Sequence, residues 1–364
     1  MIPGSRAFRI DQILPSLAPR DAIGHHTLKL QELIRSIGIE SEIYADEIKG
    51  ELGGKAKPFR EFARQKDSSS RYVIYQASTG SPIVRHLMNR LEPVVINFHN
   101  ITPKEILGRW DSGVGIVVGG GIKQLSVLKD RAIGAISVSE YNRWCLKQEG
   151  ITENSLVASP FIPLPQQMHD LARRHQSSSR WLFVGRLAPN KAQHDIVRAF
   201  SAYLEGWDPS ARLTLVGSVS SQNYADSLHN LLDELDLKDK VTVTGPIDDL
   251  ELEEQYRRAT VFVCLSDHEG FGFPVIEALA RSLPVVAFAS SAIPETLGRA
   301  GILLSSKEPI HVAAAVSLVE TNSALREQLI SSSRKTLQRY SPEAARSENL
   351  DALSQLIPEM AAHL

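Results

Sequence analysis

Four charged side chains in two short stretches could do chemistry together. DHEGFGFPVIEAL, Asp267 to Leu279, sets Glu269 and Glu277 on either side of two glycines, an aromatic pair and a proline. WLFVGRLAPNKAQHDIVRAF carries Arg186 and Lys191 in one short segment. VFVCLS reads as a buried strand, DHEGFG as the loop at its carboxyl end, and Pro274 suits the first turn of the following helix because its missing N–H needs no partner there. Main-chain N–H groups at such a helix start favour an anion or polar hydroxyls, and Gly270 and Gly272 let the backbone approach a ligand. That loop suits a sugar phosphate; a plain strand-to-helix turn, with Glu277 capping or solvated, stays open on these residues alone. In the second stretch an arginine can fork onto two oxygens and a lysine can add a point charge, which fits a diphosphate. Two ordinary surface charges are the alternative.

The elements that must position these groups alternate along the chain. YVIYQA, VVINFH, AISVS, WLFVG, LTLVG, VTVTG, VFVCLS and VVAF are short, β-branched or aromatic, and end in turn-formers, so they are predicted strands. HDIVRAFSAYL, YADSLHNLLDEL and FPVIEALARS place apolar residues at three- and four-residue steps, as helices do. Strands alternating with helices mean βα units, a mainly parallel sheet and ligands beyond the carboxyl ends of the strands. The pattern occurs twice. Between the two sets, PFIPLPQQMHD and RRHQSSSR read as a linker. The prediction is therefore an α/β protein with two Rossmann-like domains facing across a cleft: residues 1–162, a linker over 163–180, residues 181–340, and helices over 341–364. No solenoid period is visible.

Composition narrows the function classes. A chain of 364 residues is long for one core, and its 43% hydrophobic content fills two. The formal net charge of -2 gives no overall basic bias, which argues against nucleic acid as a partner. The start MIPGSRAFRIDQILPSLAPR lacks a secretory apolar core, and no run approaches a membrane span, so a cytoplasmic protein is expected. Cys145 and Cys264 stand far apart in apolar surroundings and are read as buried thiols, neither a disulfide nor a zinc site.

Together, GRLAPNK and, about eighty residues on, EGFGFPVIE resemble the retaining glycosyltransferases of family 4, the glycosyl transferases group 1, whose fold is the two-domain B-type. VTVTGPI before VFVCLS, and SSAIPETLGRAGILL after it, extend the likeness, which is strong from Trp181 to about Leu304. The resemblance implies that Glu277 binds the ribose hydroxyls of a nucleotide-sugar donor and that Glu269 lies beside the transferred sugar. It implies that Phe271, Gly272 and Phe273 offer main-chain N–H groups to the sugar, and that Arg186 and Lys191 neutralise the departing diphosphate. Gly217, Thr244, Gly245 and Ile247 lie where the family holds the base. In the first half, DAIGHHTLKLQEL occupies the place of a paired-glycine loop, with Asp21 and Ala22 at the pair; His26 aligns with a family histidine, and His99, just past the strand VVINF, with another near the donor sugar.

The activity implied is transfer of a hexose, with retention and without a metal, from a UDP-, GDP- or ADP-sugar to a glycan or lipid-linked acceptor; no cofactor is called for. An epimerase of the UDP-N-acetylglucosamine 2-epimerase type and a non-catalytic binding subunit are the alternatives. VVGGGIKQL is read as a turn. KAKPFREFARQK, with Phe59 and Phe62 at helical spacing, is read as a solvated basic helix face, with peripheral contact to the inner face of a membrane as its functional alternative. SPEAARSENLDALSQLIPEM reads as helices, which in the family cross back to the first domain.

Overall fold

The computed structural model describes residues 8–165 and 178–363, and the expected linker falls largely on residues 166–177, outside the described residues. The chain divides into two compact units. The first comprises Met1–Pro103, Ile116–Pro163 and Tyr340–Leu364; the second comprises Lys104–Gly115 and Leu164–Arg339.

In the first unit the strands are β1 (Arg9–Leu17), β2 (Ile43–Ile48), β3 (Lys57–Pro58), β4 (Arg71–Ala77), β5 (Val94–Phe98), β6 (Ala132–Ser137) and β7 (Ser155–Val157). They form a parallel sheet in the order β3-β2-β1-β4-β5-β6-β7. β4 from Tyr72 onward and all of β5 are buried, as central strands of a parallel sheet are, and the polar Gln76 and Asn97 are buried with them. Strand order reverses between β1 and β4, the place where open α/β sheets leave a crevice beyond their carboxyl ends. Leu30, Leu33 and Ile34 of the helix Ala22–Ser36 share a core with Leu353, Leu356, Ile357 and Met360 at the end of the chain.

Two readings of this unit need correction. VVGGGIKQL is not a turn: it lies within the helix Ser112–Leu128. Gly121 is contact surface, because a Cβ on it would stand 2.6 Å from the Gly80 nitrogen, and one on Gly80 would stand 2.3 Å from the Val117 carbonyl oxygen; Gly120 faces open space. Phe62 is not on a solvated face either. It is fully buried in the short helix Phe59–Ala63, tilted against Tyr44 at 5.3 Å and covered by the Arg90 guanidinium at 4.5 Å. The solvated part of that stretch is its cations: Lys55, Lys57, Arg60, Arg64 and Lys66 are exposed.

The second unit carries β8 (Arg180–Val184), β9 (Arg212–Val216), β10 (Val241–Gly245), β11 (Val261–Cys264), β12 (Val285–Phe288) and β13 (Ile302–Leu304). Its sheet is also parallel, in the order β10-β9-β8-β11-β12-β13. Each strand that the β-branched runs predict is present. Trp181 and Phe200 meet edge to face at 5.4 Å, and Phe183 stacks on Phe262 at 6.3 Å, which fixes β8 and β11 in a common core. Cys264 is buried in β11, whereas Cys145 is only half-buried; both are free thiols.

The glycine contact in the first unit sets an expectation. Gly80→Ala forces a methyl against the Val117 carbonyl of a helix that cannot yield without shifting, so it is expected to cost about 1–3 kcal/mol. A urea midpoint unchanged from wild type would refute the close packing.

Candidate functional site

In the second unit, strand order reverses between β8 and β11, and the two charged stretches leave the carboxyl ends of those two neighbours. The loop after β8 turns through a short 3-10 segment, Pro189–Lys191; the loop after β11 runs from Leu265 to Gly272. Lys191 Nζ lies 2.6 and 2.7 Å from the two carboxylate oxygens of Glu269. The two side chains are 15% and 11% exposed, so the pair is largely shielded from water.

Asn190 locks the loops together through the main chain. Its carbonyl accepts the Asp267 N–H at 2.9 Å, and its side-chain amide donates to the His268 carbonyl at 3.1 Å. From the other side, Ser291 Oγ accepts the Glu269 N–H at 2.8 Å, and Ser290 Oγ donates to the Ser266 carbonyl at 2.5 Å. His268 is buried within this frame, and desolvation lowers its pKa to about 4, so it is neutral.

Glu277 stands on the helix Phe273–Ala280. That helix opens at Gly272, whose φ of 95° is in the left-handed region, and no side chain among the described residues caps it. Tyr256 Oη donates to Glu277 Oε2 at 2.9 Å, and Arg281 covers the Tyr256 ring at 4.3 Å. Burial raises the Glu277 pKa above the ordinary glutamate value, against the hydrogen bond from Tyr256 and the nearby Arg281 charge, which lower it. Phe271 is buried and meets the half-buried Phe273 ring edge to face at 5.3 Å; Thr296 Oγ1 donates to the Phe271 carbonyl at 2.5 Å.

Arg186 is exposed, and its carbonyl accepts from Gln193 Nε2 at 2.8 Å. The Gly217 N–H donates to the Gly245 carbonyl at 3.1 Å, and Thr244 Oγ1 donates to the same carbonyl at 2.8 Å. Gly217 follows β9, Thr244 and Gly245 end β10, and half-buried Ile247 lies in the next loop.

In the first unit, Ala22 opens the helix Ala22–Ser36, and the Asp21 carboxylate caps it by accepting the Gly24 N–H at 2.8 Å. An acidic group therefore already satisfies the helix start where the resemblance implied a glycine pair. His26 and His99 meet edge to face at 5.3 Å. His26 Nδ1 accepts the Phe161 N–H at 3.3 Å, and its Nε2 lies 2.9 Å from the Asn97 side-chain amide. His99 Nε2 lies 2.6 Å from Gln76 Oε1. Desolvation lowers the His26 pKa to about 3 and holds the His99 pKa well below 6.5, so both rings are neutral.

Sequence reasoning named Lys191 and Glu269 separately and gave them different tasks; the structure joins them. Asn190, Ser291, Tyr256 and Gln76 were missed. Asn190 lay inside a quoted motif, but a neutral amide whose work is done on main-chain atoms gives no charge signal. No helix of the described residues is long and apolar enough to cross a membrane, and no cluster of metal-ligating side chains occurs among them.

Two parallel Rossmann-like sheets of this kind define the glycosyltransferase B-type fold. The chain matches sucrose-phosphate synthase from Thermosynechococcus elongatus with a TM-score of 0.73 at 16% identity, over 98% of this chain and 100% of that one. Anabaena HepE in complex with UDP and glucose matches with a TM-score of 0.70 at 17% identity, over 95% of this chain and 99% of that one. Residues 173–336 match the family model described as glycosyl transferases group 1. D-inositol 3-phosphate glycosyltransferase 2 of Catenulispora acidiphila is 35% identical over 144 residues, 37% of this chain and 34% of that protein. The D-inositol 3-phosphate glycosyltransferase of Kineococcus radiotolerans is 31% identical over 196 residues, 50% of this chain and 45% of that protein. The match thus spans less than half the length of these relatives.

The shielded ion pair generates its own test. Lys191→Met leaves the Glu269 carboxylate without its cation and is expected to cost about 2 kcal/mol. Adding Glu269→Gln should restore part of that loss. A double-mutant cycle in urea with no coupling would show that the pair contributes nothing.

Proposed function

We propose that this protein is a retaining, metal-independent glycosyltransferase that moves a hexose from a nucleoside-diphosphate sugar to a hydroxyl acceptor, a glycan or a lipid-linked glycan. The observation that carries the reading is the joining of Lys191 and Glu269 beyond the carboxyl ends of β8 and β11, where strand order reverses. On this reading the uncapped start of the helix Phe273–Ala280 receives hydroxyls of the donor at the N–H groups of Phe271, Gly272 and Phe273, and Glu269 orients the sugar beside them. Arg186 and Lys191 stabilise the diphosphate as negative charge grows on it, which acts on the transition state more than on the bound donor. Gly217, Thr244, Gly245 and Ile247 hold the base. The neutral His99 binds a substrate hydroxyl in the first unit; His26, on the helix that Ala22 opens, is buried with both ring nitrogens engaged and packs against His99 rather than reaching the substrate. The acceptor oxygen attacks the anomeric carbon on the face from which the diphosphate departs, the carbon–oxygen bond to phosphate breaks, and the leaving phosphate takes the acceptor's proton. The two cations supply the charge that a divalent ion gives other transferases, hence the metal independence. A working place in the cytoplasm, with the exposed cations from Lys55 to Lys66 touching the inner face of a membrane, belongs to the same reading.

The test is incubation with UDP-, GDP- and ADP-glucose in EDTA, with and without simple glycoside acceptors, followed by proton NMR of the first-formed product. Transfer with the donor's anomeric configuration is expected. An inverted product would refute retention, and restoration of lost activity by magnesium would refute metal independence. An isomerised donor in place of a transfer product would identify an epimerase.

Glu277 provides a second expectation. Ribose hydroxyls donate to an ionised carboxylate, and burial raises the pKa of this one, so affinity for a nucleoside diphosphate should fall as pH drops through that raised value. Glu277→Gln should flatten the pH dependence, and Glu277→Ala should weaken binding by about 1–3 kcal/mol. Calorimetry that finds wild-type affinity in both variants removes Glu277 from the ribose.

A further inference from the structure

We infer that Gln12 and Gln76 are positioning residues that hold His99 as the Nε2–H tautomer, leaving Nδ1 as the atom that accepts a hydrogen bond from a substrate hydroxyl. The inference rests on the proposed role of His99, and its first half stands on the geometry of the first unit alone. Gln12 Nε2 lies 2.9 Å from the Thr27 carbonyl oxygen, Gln76 Nε2 lies 2.8 Å from Gln12 Oε1, and His99 Nε2 lies 2.6 Å from Gln76 Oε1. Both glutamines are fully buried, so no solvent competes for their amides.

The direction of this chain is set at its far end. A main-chain carbonyl can only accept, so Gln12 must present its NH2 to Thr27 and its oxygen to Gln76. Gln76 must then donate to Gln12, which turns its own oxygen on the ring. An amide oxygen cannot donate, so the ring nitrogen facing it carries the proton, and a neutral ring has only one. With Nδ1–H instead, the Nε2 lone pair would face an oxygen 2.6 Å away. Turning both amides to relieve that contact would set Gln12 Oε1 against the Thr27 carbonyl, two buried acceptors with no proton between them.

A second chain beside it obeys the same rule. The Phe161 N–H can only donate, so His26 Nδ1 is the acceptor and Nε2 bears the proton. The Asn97 amide nitrogen stands 2.9 Å from Nε2, donor against donor, so the amide has to turn over and set its oxygen on the ring. That orientation also gives the buried Asn97 Oδ1 the hydrogen bond it otherwise lacks. Gln76 and Asn97 sit opposite each other in the register of β4 and β5, so adjacent strands hold the two neutral rings through adjacent amides.

Long-range proton–nitrogen NMR of the full chain labelled with 15N-histidine, with His99 assigned by the signals lost in His99→Asn, reads the tautomer directly. The wild type is expected to show a protonated Nε2 and a bare Nδ1 at His99. Gln76→Met removes the acceptor and Gln12→Met removes the far anchor; each should convert His99 to a mixture of tautomers and lower kcat about five- to tenfold, the scale of one buried neutral hydrogen bond. Gln76→Glu, buried as the neutral acid, donates its O–H to Gln12 Oε1 and accepts Nε2–H at its other oxygen, and should restore the wild-type tautomer. It also serves as the readout should Gln76→Met fail to fold. A wild-type spectrum with protonated Nδ1, or an unchanged His99 signal in folded Gln12→Met, overturns the inference. A tautomer that shifts as expected while transfer is unaffected upholds the two glutamines as positioning residues and removes His99 from the substrate.

Discussion

An ammonium and a carboxylate that meet at 2.6 Å join two loops whose residues are 78 positions apart in the chain. The arrangement of the second unit's site follows from that contact. Two parallel strands can place their carboxyl-end loops side by side only if they are neighbours, and β8 and β11 are neighbours because strand order reverses between them. Once they are adjacent, a shielded Glu269 carboxylate has to be paired, since an isolated charge at such a position costs far more than the pair returns. Lys191 meets that requirement, and Asn190, the residue before it, holds both main chains at the distance that makes the contact possible. The amide is neutral and its partners are main-chain atoms. It therefore fixes geometry without disturbing the charge balance.

The second unit was legible because its constraints are local and chemically loud. Gly272 at a positive φ, Pro274 in the first turn and a carboxylate on either side announce a strand-to-helix loop that must stay open. The family model covers residues 173–336, the same part of the chain. What the motifs could not convey was pairing. Arg186 and Lys191 look alike in sequence, yet one is exposed and the other is largely shielded against Glu269, at the end of the 3-10 turn Pro189–Lys191. Tyr256, which donates to Glu277, comes from the preceding helix Asp249–Arg258 and carries no motif at all.

In the first unit the misreadings have a common cause, tertiary contact overriding local preference. Strand β1 was not among the runs singled out, because Asp11, Gln12 and Pro15 interrupt its apolar residues; Ile10, Ile13, Leu14 and Leu17 are nonetheless fully buried, and Asp11 is held by Arg9 at 2.8 Å. Three successive glycines cost a helix about 1 kcal/mol each relative to alanine, so VVGGGIKQL reads as a turn. It is helical nonetheless, and at Gly121 the chain at Gly80 approaches the helix too closely for a side chain. Phe62 lies in a stretch dense with cations and was assigned to solvent with them, but aromatic rings and the flat faces of Arg71 and Arg90 enclose it.

The two units solve different electrostatic problems, and that difference bears on what each can recognise. In the second, opposite charges are brought together and partly desolvated, an arrangement that responds to a ligand's charge. In the first, the groups around His99 and His26, on β1, β4 and β5, are amides and neutral imidazoles, which are cheaper to bury than ions and respond to direction instead. Direction has to originate somewhere, and an amide or imidazole can turn over. The main chain cannot: the Thr27 carbonyl and the Phe161 N–H each have one sense, and every polar contact between them and His99 or His26 inherits it. A row of neutral side chains anchored on such groups presents acceptors and donors in a fixed order without a net charge, which is the chemistry that distinguishes one hydroxyl from another.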